Sequence, residues 1–233
     1  MSTSANKTFD RPGVTDYEKR RYRGLDQRLV DSREKRILRR ILRGLKKKDG
    51  PAWEREGAAL ILDAPCGYGR FSGLLLDEGV RLVSSDLAFH MVERAMEKKG
   101  GLRHVGGAAA DFRRGLPFKP GVFDFVFSMR LFHHLHAEED REAVLREFAR
   151  VAKEGVILSF YRARGLHALQ RKLRRLFKRT QRTIKMVPGA TFEKEAAEAG
   201  FTIERVVPLF RGIHAQHIAV LKKGTGVKIA DRT

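Results

Sequence analysis

Leu60-Ile61-Leu62-Asp63-Ala64-Pro65-Cys66-Gly67-Tyr68-Gly69-Arg70 is the stretch on which the reading of the fold turns. It begins as a short apolar run, the mark of a strand buried on both faces, and then enters a turn carrying two glycines. Phe71 to Leu76 opens a helix directly afterwards. A buried strand that feeds through a glycine turn into a helix is the first half of a parallel βαβ unit.

The same alternation continues outward from this unit. Strands are expected at Leu82 to Asp86, weakly at Val105 to Ala109, at Phe123 to Ser128 and at Val156 to Phe160, with helices at Met91 to Met96 and Glu138 to Ala152 between them. A helix from Phe192 to Ala199, stopped by Gly200, leads to strands at Thr202 to Val207 and Gln216 to Leu221. The link between these last two is too short for a crossover helix, so they should be antiparallel. The expected fold class is α/β: a Rossmann-like, seven-stranded, mostly parallel sheet with an antiparallel last strand and helices on both faces.

Toward the N-terminus, residues 1–14 read as a mobile polar tail containing Pro12-Gly13. Residues 15–50 read as a basic helical arm, broken near Gly24 and stopped by Lys46-Lys47-Lys48-Asp49-Gly50-Pro51, with Leu25, Leu29, Ile37, Leu38, Ile41, Leu42 and Leu45 at helical spacing. Residues 51–223 form the main domain. Within it 162–190 is a basic helical insertion or lid, and 224–233 is a second tail.

The formal charge of +20 is not spread evenly. Lys19 to Lys48 holds fourteen basic residues against three acids, and Arg162 to Lys185 holds ten against none, which leaves the remainder near neutrality. Two local surfaces, at 19–48 and 162–185, are therefore the places where an anionic partner, RNA or a membrane surface, would be met. In the second segment Leu166, Leu169, Leu173, Leu176 and Phe177 make one face of a basic amphipathic helix, with no aromatic-interleaved RNA-binding motif beside it. No run of eighteen apolar residues and no secretory pattern is present, so a cytoplasmic location is expected. One cysteine, Cys66, excludes an internal disulfide framework and a multi-thiolate metal cage, and no metal is expected.

Gly67 and Gly69 allow backbone to approach a ligand closely, and the helix that follows presents unpaired N–H groups. Asp86 ends the second strand nineteen residues after Gly67, where a carboxylate can accept both hydroxyls of a ribose. Together they indicate an adenosine-containing cofactor. A nicotinamide dinucleotide is the weaker candidate, because its third glycine would fall at Ser72 and Gly73 comes one residue late.

Several motifs in order, Asp63-x-Pro65-x-Gly67-x-Gly69-Arg70, Ser85-Asp86-Leu87, Ala110-Asp111-Phe112 with Leu116-Pro117-Phe118, Phe123 to Ser128, and His133-His134-Leu135, resemble class I S-adenosylmethionine-dependent methyltransferases of the ubiquinone/menaquinone C-methyltransferase-like, type 11 group. The resemblance covers about residues 58 to 160; Pro65 departs from it by replacing the usual first glycine. It implies S-adenosylmethionine as cofactor. Asp63, Gly67 and Gly69 would line its methionine end, with Ala64 and Arg70 of the same loop also binding it. Asp86 would hold the ribose and Leu87 would flank the adenine. Asp111 would take the adenine amino group with Phe112 beside the ring, and Ser128 would sit below the methionine part.

Methyl transfer needs alignment first and a general base only where the acceptor must lose a proton. His133 and His134 past the fourth strand, and Tyr161 after the fifth, are the catalytic candidates; Arg162 is a further acceptor contact. His214 and His217 stand near the last strand, on opposite faces of an extended segment. Tyr17, Arg21 and Tyr22 could close over the cofactor from the arm. The fourth strand ends Ser128-Met129-Arg130-Leu131, unlike the tetrad with which amino-group methyltransferases grip a planar nitrogen, and the lone cysteine lies in the cofactor loop, which disfavours pyrimidine carbon-5 chemistry. The expected function is methylation of oxygen or carbon on a small-molecule acceptor, anionic or lipid-linked. The alternatives are an RNA- or ribosome-associated methyltransferase that uses the basic helices, and a non-catalytic cofactor-binding protein. The sequence leaves the oligomeric state open.

Overall fold

The computed structural model describes residues 13–14, 24–48, 58–97, 103–163, 185–212 and 214–224. Seven strands, β1 (Leu60–Asp63), β2 (Arg81–Asp86), β3 (His104–Ala109), β4 (Phe123–Ser128), β5 (Ala152–Tyr161), β6 (Phe201–Pro208) and β7 (Gln216–Lys223), form one sheet in the order β3-β2-β1-β4-β5-β7-β6. The pairs β1–β2, β2–β3, β1–β4 and β4–β5 are parallel, whereas β7 runs antiparallel to both β5 and β6. This is the expected architecture, with β7 as the one reversed strand.

Among the described residues five α-helices accompany the sheet: α1 (Leu25–Lys48), α2 (Ser72–Asp77), α3 (Phe89–Met96), α4 (Glu138–Val151) and α5 (Gly189–Glu198). Because side chains alternate along a strand, neighbouring residues of one strand serve opposite cores. Leu62 and Val126 join Val144 and Phe148 of α4 and Phe192 of α5 on one face. Ile61, Phe125 and Phe127 join Leu38, Ile41 and Leu42 of α1 and Leu75 of α2 on the other. Burial on both faces is why β1 and β4 read as mainly apolar runs, with Asp63 at the tip of β1 and Asp124 near the start of β4 as the charged exceptions.

The edges differ from expectation for the same reason. β3 is an edge strand whose residues alternate between half-buried and exposed, and its signal was correspondingly weak. β5 starts at Ala152, four residues before the apolar run, because Ala152 already pairs with Phe123 while Lys153 reaches out to Asp124 at 3.2 Å. α5 begins at Gly189 rather than Phe192.

α1 begins directly after Gly24 and ends at Lys48, at the expected stop. The two tails apart from Gly13, Val14 and Gly224, the front of the arm with Tyr17, Arg21 and Tyr22, and residues 164–184 of the basic insertion lie outside the described residues. Among the described residues no helix is long and apolar enough to cross a membrane.

Candidate functional site

β1 has β2 on one side and β4 on the other, so the strand order reverses there, and the crevice beyond the carboxyl ends of these strands is where an open parallel sheet takes its ligand. The turn after β1 is built by its glycines: Gly67 has φ +52° and Gly69 φ +79°, backbone that L side chains rarely adopt. The Cys66 N–H donates to Ser85 O at 2.8 Å and the Gly69 N–H to Cys66 O at 3.1 Å, fastening the turn to β2. Asp86 completes the fastening. Its carboxylate accepts the Gly67 N–H at 2.9 Å and the Ala88 N–H at 3.1 Å.

A cavity of ≈ 420 Å³ opens on this turn. Gly67, Arg70, Asp86 and Leu87 line it on the β1–β2 side, Asp111 and Phe112 at the end of β3, and Arg130, His133 and His134 past β4. Leu87 is exposed and offers an apolar face to a ligand. Phe112 is largely buried, its ring 6.2 Å from that of Phe148. Asp63, Ala64, Gly69 and Ser128 do not line the cavity; all four are buried.

The electrostatics are unusual at β1. Both carboxylate oxygens of Asp63 and the hydroxyl of Ser128 are buried without a hydrogen-bond partner among the described residues. Burial, and after it the nearby charge of Asp86, raise the Asp63 carboxyl well above the ordinary carboxylate range. Burial raises Asp86 too, against the pull of the backbone N–H groups it accepts. Cys66 is buried, and burial followed by the charges of Asp63 and Asp86 pushes its thiol up, so it is a poor nucleophile. Asp111 differs: Arg113 grips it with Nε at 2.9 Å from Oδ1 and a terminal nitrogen at 2.8 Å from Oδ2, which lowers its carboxyl.

On the far side of the cavity, a 3₁₀ turn over Phe132–His134 puts the His133 and His134 rings 4.0 Å apart. Because β4 and β5 are neighbours, Tyr161 at the end of β5 comes within 5.1 Å of His133, ring to ring. Tyr161 does not itself line the cavity; its hydroxyl donates to Gln216 Oε1 at 3.4 Å. The His214 ring stands 6.1 Å from that of Tyr161, whereas His217 is buried with Nδ1 2.8 Å from Ala215 O.

Residues 62–160 match a family model described as a methyltransferase domain. These residues form a methyltransferase domain similar to class I S-adenosylmethionine-dependent methyltransferases of the type 11 group. Over 102 residues, 43% of the chain, it is 36% identical to a malonyl-[acyl-carrier protein] O-methyltransferase of Legionella pneumophila. Over 98 residues it is 34% identical to a sarcosine/dimethylglycine N-methyltransferase of Halorhodospira halochloris. In each case the match spans 34% of the relative's length. The crystal structure of magnesium protoporphyrin IX methyltransferase from Synechocystis with bound SAH (S-adenosylhomocysteine) superposes with a TM-score of 0.70 at 19% identity, over 94% of this chain and 98% of that one. At that identity the likeness concerns the fold.

The methyltransferase domain's cavity has a second wall that the motifs did not reveal. Arg130, directly after β4, has φ 65°, the one left-handed non-glycine among the described residues, and its guanidinium meets Glu34 of α1. A signal for this was present: Glu34 stands four residues before Leu38 and seven before Ile41, on the apolar face of an otherwise basic helix. A charge on the buried face of an amphipathic helix needs a partner, and the partner is at the site.

The residues present fit the family's cofactor. An uncompensated buried carboxylate beside a glycine turn suits a cationic amine such as the methionine ammonium, Asp86 suits a ribose diol, and the Leu87 and Phe112 surfaces suit a purine.

Proposed function

We propose that this chain transfers a methyl group from S-adenosylmethionine to oxygen or carbon of a small-molecule acceptor, anionic or lipid-linked. The observation that carries the proposal is Asp63: a buried carboxyl group without a hydrogen-bond partner among the described residues, at the tip of the central strand and next to the glycine turn on which the cavity opens. When bound, S-adenosylmethionine supplies an activated methyl group on a sulfonium.

The chain's own residues bind and align. Asp63 would hold the ammonium group, with the Gly67 and Gly69 backbone, Ala64, Arg70 and Ser128 around the methionine part. Asp86 would accept from the ribose hydroxyls, Leu87 and Phe112 would bound the adenine, and Asp111 would accept from its amino group while remaining held by Arg113. His133 and His134 line the other side of the cavity, where an imidazole nitrogen can take a proton from a hydroxyl or an acidic carbon, and Tyr161 orients His133 through its ring. A carboxylate acceptor has no proton to lose, and the same residues would then serve only to bind it.

Incubation with methyl-labelled S-adenosylmethionine and fractionated cell extract tests the proposal. Label should enter the small-molecule or lipid pool and S-adenosylhomocysteine should accumulate; cofactor binding with no product from any fraction would leave a non-catalytic binding protein instead.

Asp86→Ala should weaken S-adenosylhomocysteine binding in calorimetry, by about 1.5–3 kcal/mol for each charge-assisted bond lost to the ribose. It also frees the Gly67 N–H, so the turn itself loosens. An unchanged affinity would remove Asp86 from the site.

One observation favours a second reading, an RNA acceptor. Arg36, Arg39, Arg40 and Arg43 stand outward on α1, whose apolar face is used up in the core, and with Lys35, Ser32 and a single acid, Asp31, they line a surface groove. This reading requires affinity for structured RNA that falls steeply and log-linearly with salt. Weak binding at low salt would leave the small-molecule acceptor.

A further inference from the structure

α1 meets the arginines of the cavity with two carboxylates, Glu34 and Asp31. Glu34 is fully buried and accepts four hydrogen bonds: from a terminal nitrogen of Arg70 at 2.5 Å, from Arg130 at 3.0 Å and 3.4 Å, and from the Gln216 amide at 2.5 Å. Asp31, one turn earlier on the helix, accepts from Nε of Arg70 at 2.9 Å and from the same terminal nitrogen at 2.7 Å. Arg70 and Arg130 both line the cavity, one in the glycine turn after β1 and the other in the loop after β4. Arg130 adopts its left-handed backbone, which disfavours any residue bearing a Cβ, while its N–H donates to Ser159 Oγ at 2.8 Å and its guanidinium meets Glu34.

We propose that Glu34 is a positioning residue for the cofactor pocket: from the N-terminal helix it holds Arg70 and Arg130, and through them fixes the spacing of the two loops between which the cofactor binds. The inference rests on the reading of the cavity as the S-adenosylmethionine site. Two bidentate-capable guanidiniums converge on one carboxylate, and a carboxylate is the one side-chain group of that size that accepts from both. Gln216 ties the same point to the acceptor side, since its amide donates to Glu34 and its carbonyl accepts from the Tyr161 hydroxyl. A buried ion pair of purely structural use would affect stability and leave the folded protein's affinity alone. Glu34 differs because what it holds is the wall of the pocket.

The test is calorimetric titration with S-adenosylhomocysteine, with melting curves alongside. Glu34→Gln keeps shape and volume but presents one acceptor and one donor to groups that all donate, so one arginine must let go. Affinity should fall about tenfold or more. Leu38→Ala, on the same helix and fully buried in the core, is the control: it destabilises the docking of α1 without touching the arginines, and its affinity should stay within about twofold of the parent. Should Glu34→Gln fail to yield folded protein, Glu34→Asp, which keeps the charge but falls short by one methylene, replaces it and should show a smaller loss of affinity. Parental affinity in the folded Glu34 variant would overturn the inference, as would an equal loss in Leu38→Ala. If the parent itself does not bind S-adenosylhomocysteine, the cofactor reading fails first, an outcome distinct from either.

Discussion

Asp63→Asn should make the ligand-free protein more stable at neutral pH while weakening its hold on S-adenosylhomocysteine. The parent carboxylate is buried, lacks a hydrogen-bond partner among the described residues and is repelled by Asp86, so its carboxyl is raised in the folded state. A folded state with the higher pKa binds more protons than the unfolded one, so its stability declines as pH rises. The decline begins near the ordinary value of 3.8 and is complete once pH has passed the raised folded value. Asparagine never ionises, and the advantage of the variant should grow with pH across that window and then level off. Removing an uncompensated buried charge should be worth about 1–3 kcal/mol, which in a domain of this size raises Tm by roughly 2–10 °C. The neutral amide cannot match a ligand ammonium, so affinity should fall about ten- to a hundredfold. Melting curves from pH 4 to 9 (about one per unit) with paired titrations check both halves. A variant that is less stable and binds equally well would mean that Asp63 has a structural partner and no ligand.

Glu195→Ala should cause the largest loss of stability. Arg141 of α4 and Glu195 of α5 pair in the interior at 2.6 Å and 3.1 Å, with side-chain exposures of 4% and 0%. The same guanidinium donates to the carbonyls of Leu135, His136 and Ala137, the segment that follows the two cavity histidines. Removing the carboxylate leaves a buried cation uncompensated, at a cost of about 3–5 kcal/mol, or roughly 6–20 °C in Tm. The exposed pair Lys194–Glu198 on the same helix, 3.6 Å apart, is the contrast: Glu198→Ala should change stability by less than about 0.5 kcal/mol. Equal shifts in the two variants would show that the Arg141 pair contributes no more than a surface contact.

The sheet was legible because parallel strands covered on both faces declare themselves as apolar runs. β1 and β4 are such strands; β3, at the edge, and the polar beginning of β5 are not, and their limits were blurred accordingly. The cavity's β1–β2 side was legible because it is local in the chain: each of Gly67, Arg70, Asp86, Leu87, Asp111 and Phe112 stands at or just after the end of a strand, which is where the fold delivers residues to a ligand. The meeting of His133, His134 and Tyr161 depends on β4 lying beside β5, and the Glu34 network joins residues 36, 96 and 182 positions apart. Contacts at such separations are made by tertiary packing and leave only an indirect trace in sequence, here a glutamate on the wrong face of a helix. The large positive charge was the opposite case, conspicuous in sequence and only partly placed: on α1 it faces solvent, while the buried Glu34 and half-buried Asp31 of the same helix turn to the cavity arginines.

Titration of the purified chain with S-adenosylhomocysteine tests the central claim most directly, because affinity depends on the glycine turn, Asp63 and Asp86 acting together and on no knowledge of the acceptor. Saturable one-to-one binding with a Kd in about the micromolar range, and no comparable heat with a nicotinamide dinucleotide, is the predicted result. Absence of binding, or preference for the dinucleotide, would contradict it.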